Sequence, residues 1–169
     1  MTTLKRILAV IRSYDDQMPV PVFEMISVVG LGPDYQVMDN EYSGKIVRAD
    51  NEAGYLIVIN SRHHPNRRRF TGAHELGHYI YHRDLLDGGT GDTLAYRSDG
   101  SESPNERIGP AQETEANRFA ANLLMPNRLI EKLQAEGIED PALMAERLGV
   151  SEAAMRIKLG LAPKPDLFG

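Results

Sequence analysis

Residues 67–82 read RRRFTGAHELGHYIYH, and they hold three of the chain's five histidines, His74, His78 and His82, each four residues from the next. No other stretch restricts the fold as tightly. On an α-helix, residues four apart project from one face, so the three rings would form a single stripe. Pro65 suits a first helical turn, and the pattern predicts a helix from about 65 to 83. Within it, His74-Glu75-Leu76-Gly77-His78 is an HExxH motif. Two imidazoles one turn apart can bind one Zn²⁺ at about 2.0–2.1 Å each. The adjoining Glu75 can take a proton from an attacking water.

His82 is a different case. It lies eight residues from His74, about 12 Å along the axis at the helical rise, too far to share an ion. It is expected to pack, or to hydrogen-bond at the helix end, where a cationic ring would also suit the dipole.

A catalytic zinc takes three protein ligands and keeps one position open. The 169-residue chain has no cysteine, so the third ligand must be His, Asp or Glu. His63 and His64 immediately precede the motif helix, in an expected turn. The better source is GPAQETEANRFAANLLMP, residues 109–126. On a helical projection of this segment, Ala116, Phe119, Ala120, Leu123 and Leu124 form an apolar face. Glu113 stands at its inner edge with Asn117 beside it, and Glu115 falls on the other edge, toward Arg118 and Asn122, which read as solvated. A carboxylate turned toward a core is costly unless paired or bound to metal, so Glu113 is preferred over Glu115 as third ligand. Asn117 could orient a ligating imidazole through its second nitrogen, or be an ordinary boundary residue.

The rest of the chain reads as α+β. Leu4, Ile7, Leu8 and Ile11 repeat at helical spacing and predict a core-facing helix over 3–13, followed by a short apolar stretch from Val22 to Val29. Tyr35–Met38, Gly44–Ala49 and Tyr55–Asn60 are short runs rich in β-branched residues and tyrosine, expected to form a small antiparallel meander. Residues 84–111 read as a long loop, with Leu94–Arg97 the one ordered-looking island. After the 111–125 helix come short helices over Arg128–Glu136, Pro141–Leu148 and Glu152–Leu159, then a frayed tail. The run Arg67-Arg68-Arg69 is expected to be a solvated face. Gly77 inside the motif helix costs about 1 kcal/mol against alanine and suggests close approach of a neighbouring backbone.

With RRRFTGAHELGHYIYH followed by ETEANRFAANLLMP, the chain resembles the ImmA/IrrE family of zinc metallopeptidases. The resemblance implies a small gluzincin-like α+β fold with an N-terminal helix, a β-meander, an HExxH helix and a glutamate-bearing helix. It implies one Zn²⁺ per chain on His74, His78 and Glu113, with Glu75 as catalytic acid/base. It also implies a substrate class, a partner transcriptional repressor whose cleavage derepresses stress-response, phage or mobile-element genes. Family members can carry a helix-turn-helix domain before the peptidase; this chain begins almost at the peptidase, so the DNA-binding partner is expected to be another protein.

The expected organisation is a peptidase core over 1–126, a helical extension over 127–162 and a tail over 163–169. LMAERLGVSEAAMRIKLGLA, residues 143–162, resembles a helix-turn-helix. Yet residues 127–169 hold six Lys or Arg against seven Asp or Glu, and the whole chain carries a net charge of −5. Both argue against direct nucleic-acid contact, which needs a basic face. The N-terminal apolar run is too short for a signal peptide or membrane span, so a cytoplasmic location with no membrane partner is expected. The expected activity is zinc-dependent peptide-bond hydrolysis. The rival is a zinc-containing binding module that sequesters a repressor or antitoxin-like partner without cutting it. Tyr96, Arg97, His63 and His64 remain open as stabilisers of the oxyanion.

Overall fold

In the computed structural model, residues 3–14, 16–86 and 107–164 are described. The run Tyr55-Leu-Ile-Val-Ile is apolar on both faces, as a central strand requires, and it lies in the middle of a three-stranded sheet. The strands are β1 (Asp34–Gln36), β2 (Gly44–Arg48) and β3 (Tyr55–Asn60), in the order β1-β3-β2. β2 and β3 are antiparallel, joined by a turn in which Gly54 takes φ of 75° and the Ala49 amide donates to the Gly54 carbonyl. β1 runs parallel to β3, with Gln36 opposite Asn60. The expected meander is therefore corrected to a mixed sheet.

The cause is Asn60. Its buried side chain accepts from the Met38 amide and donates to the carbonyls of Met38, Asp39 and Tyr42. These bonds hold the 37–43 connection over the end of β3 and carry the chain to its far side. A tight hairpin between β1 and β2 is thereby excluded.

Eight helical segments surround the sheet among the described residues. α1 (Thr3–Ser13) and α2 (Val22–Val28) precede it. α3 (Pro65–Tyr81) is the motif helix, followed by the short α4 (Arg83–Leu86). α5 (Pro110–Leu124) carries the glutamates, and α6 (Asn127–Ala135), α7 (Pro141–Leu148) and α8 (Glu152–Lys158) close the chain. Ile26, Ile46, Ile57, Ile59 and Leu76 join Leu124, Leu133, Met144, Leu148 and Met155 in one buried cluster. The α1 stripe fits less well than expected: Ile7 is buried, but Leu4 and Leu8 are exposed.

The arginine run is solvated only in part: Arg67 is exposed, whereas Arg68 and Arg69 are half-buried. Arg69 donates to the carbonyls of Gly149 and Val20 at 3.0 and 2.8 Å, tying α3 to the α7–α8 turn and to the segment before α2. Gly149 turns there at φ 66°, where a Cβ would sit 2.9 Å from the Arg69 Nε. Arg67 donates to the Ser43 hydroxyl, and Arg68 lies over the Tyr35 ring. The Arg69 guanidinium satisfies loop carbonyls that would otherwise be left without partners. Among the described residues, no helix is long and apolar enough to cross a membrane.

Candidate metal centre

α3 begins at Pro65, its N-cap His64 accepting from the Asn66 amide at 3.2 Å. From Thr71 to Tyr79 every residue is buried, and two glycines make this enclosure feasible. A Cβ on Gly72 would meet Ile26 and Phe23 of α2 at 3.1 Å. A Cβ on Gly77 would meet the Phe119 ring at 3.0 Å and the Ala116 Cα at 3.3 Å. α3 and α5 therefore approach closely at Gly77 and the Ala116 backbone, and that approach brings the α5 carboxylate to the histidines.

His74 Nε2 and His78 Nε2 lie 3.0 Å apart. Glu113 reaches both, with Oε2 at 3.4 Å from His74 Nε2 and Oε1 at 3.3 Å from His78 Nε2. The three donor atoms all fall within 4.8 Å of one another. Tetrahedral ligands about 2.0–2.1 Å from a zinc ion stand roughly 3.3 Å from each other, so this donor set fits such an ion. His82 is outside the group, and Glu115 points to His82 instead, its Oε2 3.0 Å from His82 Nε2.

The outer nitrogens are occupied as well. His74 Nδ1 is 2.8 Å from Asn117 Oδ1, and His78 Nδ1 is 2.9 Å from His82 Nδ1. A carboxylate only accepts, so Glu115 takes the His82 Nε2–H, and in that tautomer His82 Nδ1 accepts from His78 Nδ1–H. That order leaves the His78 Nε2 lone pair facing Glu113. On His74, the Asn117 carbonyl oxygen selects the same tautomer. Both imidazoles thus present the unprotonated nitrogen a metal needs. Burial, together with the neighbouring His74, pulls the His78 pKa down to about 4 against the opposing pull of Glu113, favouring the neutral ring.

The two central carboxyls are driven in opposite directions. Burial alone would raise Glu113, but the closeness of the His74 and His78 rings outweighs it and brings the carboxyl down to about 2. Glu75 is fully buried and neither of its oxygens has a hydrogen-bond partner. Burial, with the nearby Glu113 charge, raises its pKa well above 4.5. A pair of carboxyls with pKa values pushed apart is the pattern of an anionic ligand beside a proton acceptor.

The centre opens into a cavity of about 400 Å³, lined by Glu41, Ser43, Arg67, Phe70, Thr71, His74 and Asn117. Of the residues left open for the oxyanion, His63 bonds the Asn40 carbonyl through Nε2 and His64 caps α3. Neither lines this cavity, and Tyr96 and Arg97 lie outside the described residues. Arg67 does line it, a residue the sequence reading set aside as part of a charge run. The signal was its spacing: Arg67, Thr71, His74 and His78 recur at intervals of three or four, on one face of α3.

A sequence profile of the M78 peptidases, described as the IrrE N-terminal-like domain, matches residues 36–160. The chain is 41% identical over 102 residues to the radiation response metalloprotease IrrE of Deinococcus radiodurans, covering 59% of this chain and 29% of that protein. It is 42% identical over 79 residues to the protein of the same name from Deinococcus deserti, covering 47% and 25%. The chain thus spans less than a third of the length of either relative. With the profile matched across β2, β3 and both motif helices, the chain belongs to the ImmA/IrrE family of M78 metallopeptidases.

Proposed function

We propose that this chain is a zinc-dependent endopeptidase holding one Zn²⁺ on His74, His78 and Glu113, with Glu75 as general acid/base. The observation that carries the reading is the convergence of three ligand atoms beside a buried carboxyl that has no partner of its own. An unpartnered buried carboxyl costs stability, and a module that only bound its target would have no use for one.

Zn²⁺ bound there would polarise a peptide carbonyl and lower the pKa of a water. Glu75 takes the proton of the water that attacks the carbonyl carbon. As the C–N bond breaks, Glu75 passes that proton to the leaving amine nitrogen. Asn117 and His82 hold the imidazoles in orientation. Arg67, at the cavity wall, is our candidate to donate to a substrate carbonyl oxygen. β2 is the sheet edge nearest this wall, where Ser43 adjoins it, and its outer side offers backbone groups to an extended polypeptide.

The substrate we favour is a helix-turn-helix repressor, cleaved to derepress stress-response, phage or mobile-element genes, in the cytoplasm. The support is family membership and the words "radiation response" in the relatives' names. We take residues 1–126 as the peptidase core and 127–162 as a helical extension packed on it through Arg69 and Asn66. The test is incubation of the zinc-loaded protein with the repressor encoded beside its gene. Cutting that chelation stops and zinc restores supports the reading, and tight binding without cutting moves it to a sequestering module.

A further inference from the structure

A second cavity, of about 610 Å³, lies between the first turns of α3 and α8. Its apolar wall is Phe70, Val150, Ala153, Ala154 and Ile157. The groove is built rather than incidental. Val150 is buried and its carbonyl accepts from Asn66 Nδ2 at 3.0 Å, while Met155 anchors α8 in the core. Ala153 and Ile157 are one turn apart on the outer face of α8, and Ile157 is 78% exposed although it is a large aliphatic.

The groove adjoins the metal-site cavity, with Arg67 and Phe70 lining both. These residues precede His74 by seven and four positions, roughly 10 and 6 Å along the helix axis. An extended polypeptide advances about 3.3 Å per residue. A chain lying in the metal cleft would therefore bring a side chain to the groove two or three residues from the bond at the metal.

We propose that the α3–α8 groove is a specificity subsite of the peptidase, receiving a bulky aliphatic or aromatic side chain of the substrate polypeptide two or three residues from the scissile bond. This rests on the peptidase reading above. The occupant is apolar because Phe70, Val150, Ala153, Ala154 and Ile157 form most of the wall, with His64, Asn66, Arg67 and Ser151 at its polar side.

The test uses zinc-loaded Glu75→Gln protein, which holds peptides without cutting them, to select from a random dodecapeptide library displayed on phage. Selected peptides should share Leu, Ile, Met or Phe at one position. They should bind about tenfold or more weakly when Ile157→Asp or Ala153→Phe is added, as loss of a buried aliphatic contact predicts. Both substitutions fall on exposed positions, and unchanged zinc content with an unchanged circular-dichroism melt shows the fold is kept. Wild type should cut these peptides two or three residues from the shared side chain. Absence of a shared apolar position, or affinity within about twofold in both groove variants, overturns the subsite, as does cutting at no fixed distance from it. Groove-dependent peptides that wild type never cuts retain the groove as a binding site and overturn the peptidase reading instead.

Discussion

His78 and His82 face each other through their Nδ1 atoms at 2.9 Å, and the far nitrogen of His82 ends on Glu115. Two imidazoles meeting Nδ1 to Nδ1 can hold only one proton between them, and the carboxylate on the far nitrogen of His82 favours His78 as its donor. The third histidine of the stripe thus acts through the second rather than on a metal.

His82→Ala should therefore leave the zinc stoichiometry at one per chain while weakening affinity by about 10- to 100-fold, the usual loss when a ligand's outer partner is removed. His82→Gln should recover part of it, because its amide oxygen can accept from His78 Nδ1–H. Competition with a chromophoric chelator reads both. Loss of stoichiometric binding in folded His82→Ala would mean that His82 is itself a ligand.

Glu113 and Glu115 sit two residues apart on α5 yet serve different histidines. Glu113→Ala should weaken zinc binding far more than Glu115→Ala, because it removes a ligand rather than an outer partner. The same chelator titration decides, and the reverse order would exchange their roles.

Much of this site was legible in the sequence because it is local. HExxH fixes two donors by helical spacing, and the amphipathic pattern of residues 109–126 turns Glu113 inward. Pro65 marked the start of α3, and the helices expected over Arg128–Glu136, Pro141–Leu148 and Glu152–Leu159 lie close to where α6, α7 and α8 occur. What stayed hidden depends on distant pairs. Asn60 bonding back to residues 38–42 sets the strand order, and Arg69 reaches the α7–α8 turn across 80 positions of sequence. Glu115 is exposed, as the projection of α5 implies, but its bond to His82 lies outside any projection of α5 alone.

Gly77→Ala would gain about 1 kcal/mol of helix propensity. Its Cβ would press on the Ala116 Cα and the Phe119 ring, and the backbone contact can give only if α5 moves. Such overpacking costs about 1–3 kcal/mol. The variant should melt below wild type and, because α5 carries Glu113, bind zinc more weakly. Unchanged affinity would show that the closeness of α3 and α5 does not set the ligand geometry.

Glu75 has a pH signature of its own. Its folded-state pKa lies well above 4.5, so its contribution to stability is fully present below the unfolded value and is lost as pH rises toward the folded one. In metal-free protein, Glu75→Gln should match wild type near pH 4. Above about pH 4.5 it should become progressively more stable, by up to about 1.4 kcal/mol per pH unit until the folded pKa is reached. Thermal melts of chelator-stripped protein from pH 4 to 8 check this. A difference that stays constant with pH would contradict the raised carboxyl.

The central claim is that Glu75 moves a proton while His74, His78 and Glu113 hold the metal. The direct measurement is the rate of repressor cleavage by zinc-loaded wild type and zinc-loaded Glu75→Gln, with zinc content and repressor affinity measured on the same samples. Glutamine keeps the size of the side chain but cannot accept the proton at neutral pH. The account predicts equal zinc, equal affinity and a cleavage rate lower by a factor of at least about 10². Equal cleavage by the two proteins would contradict it.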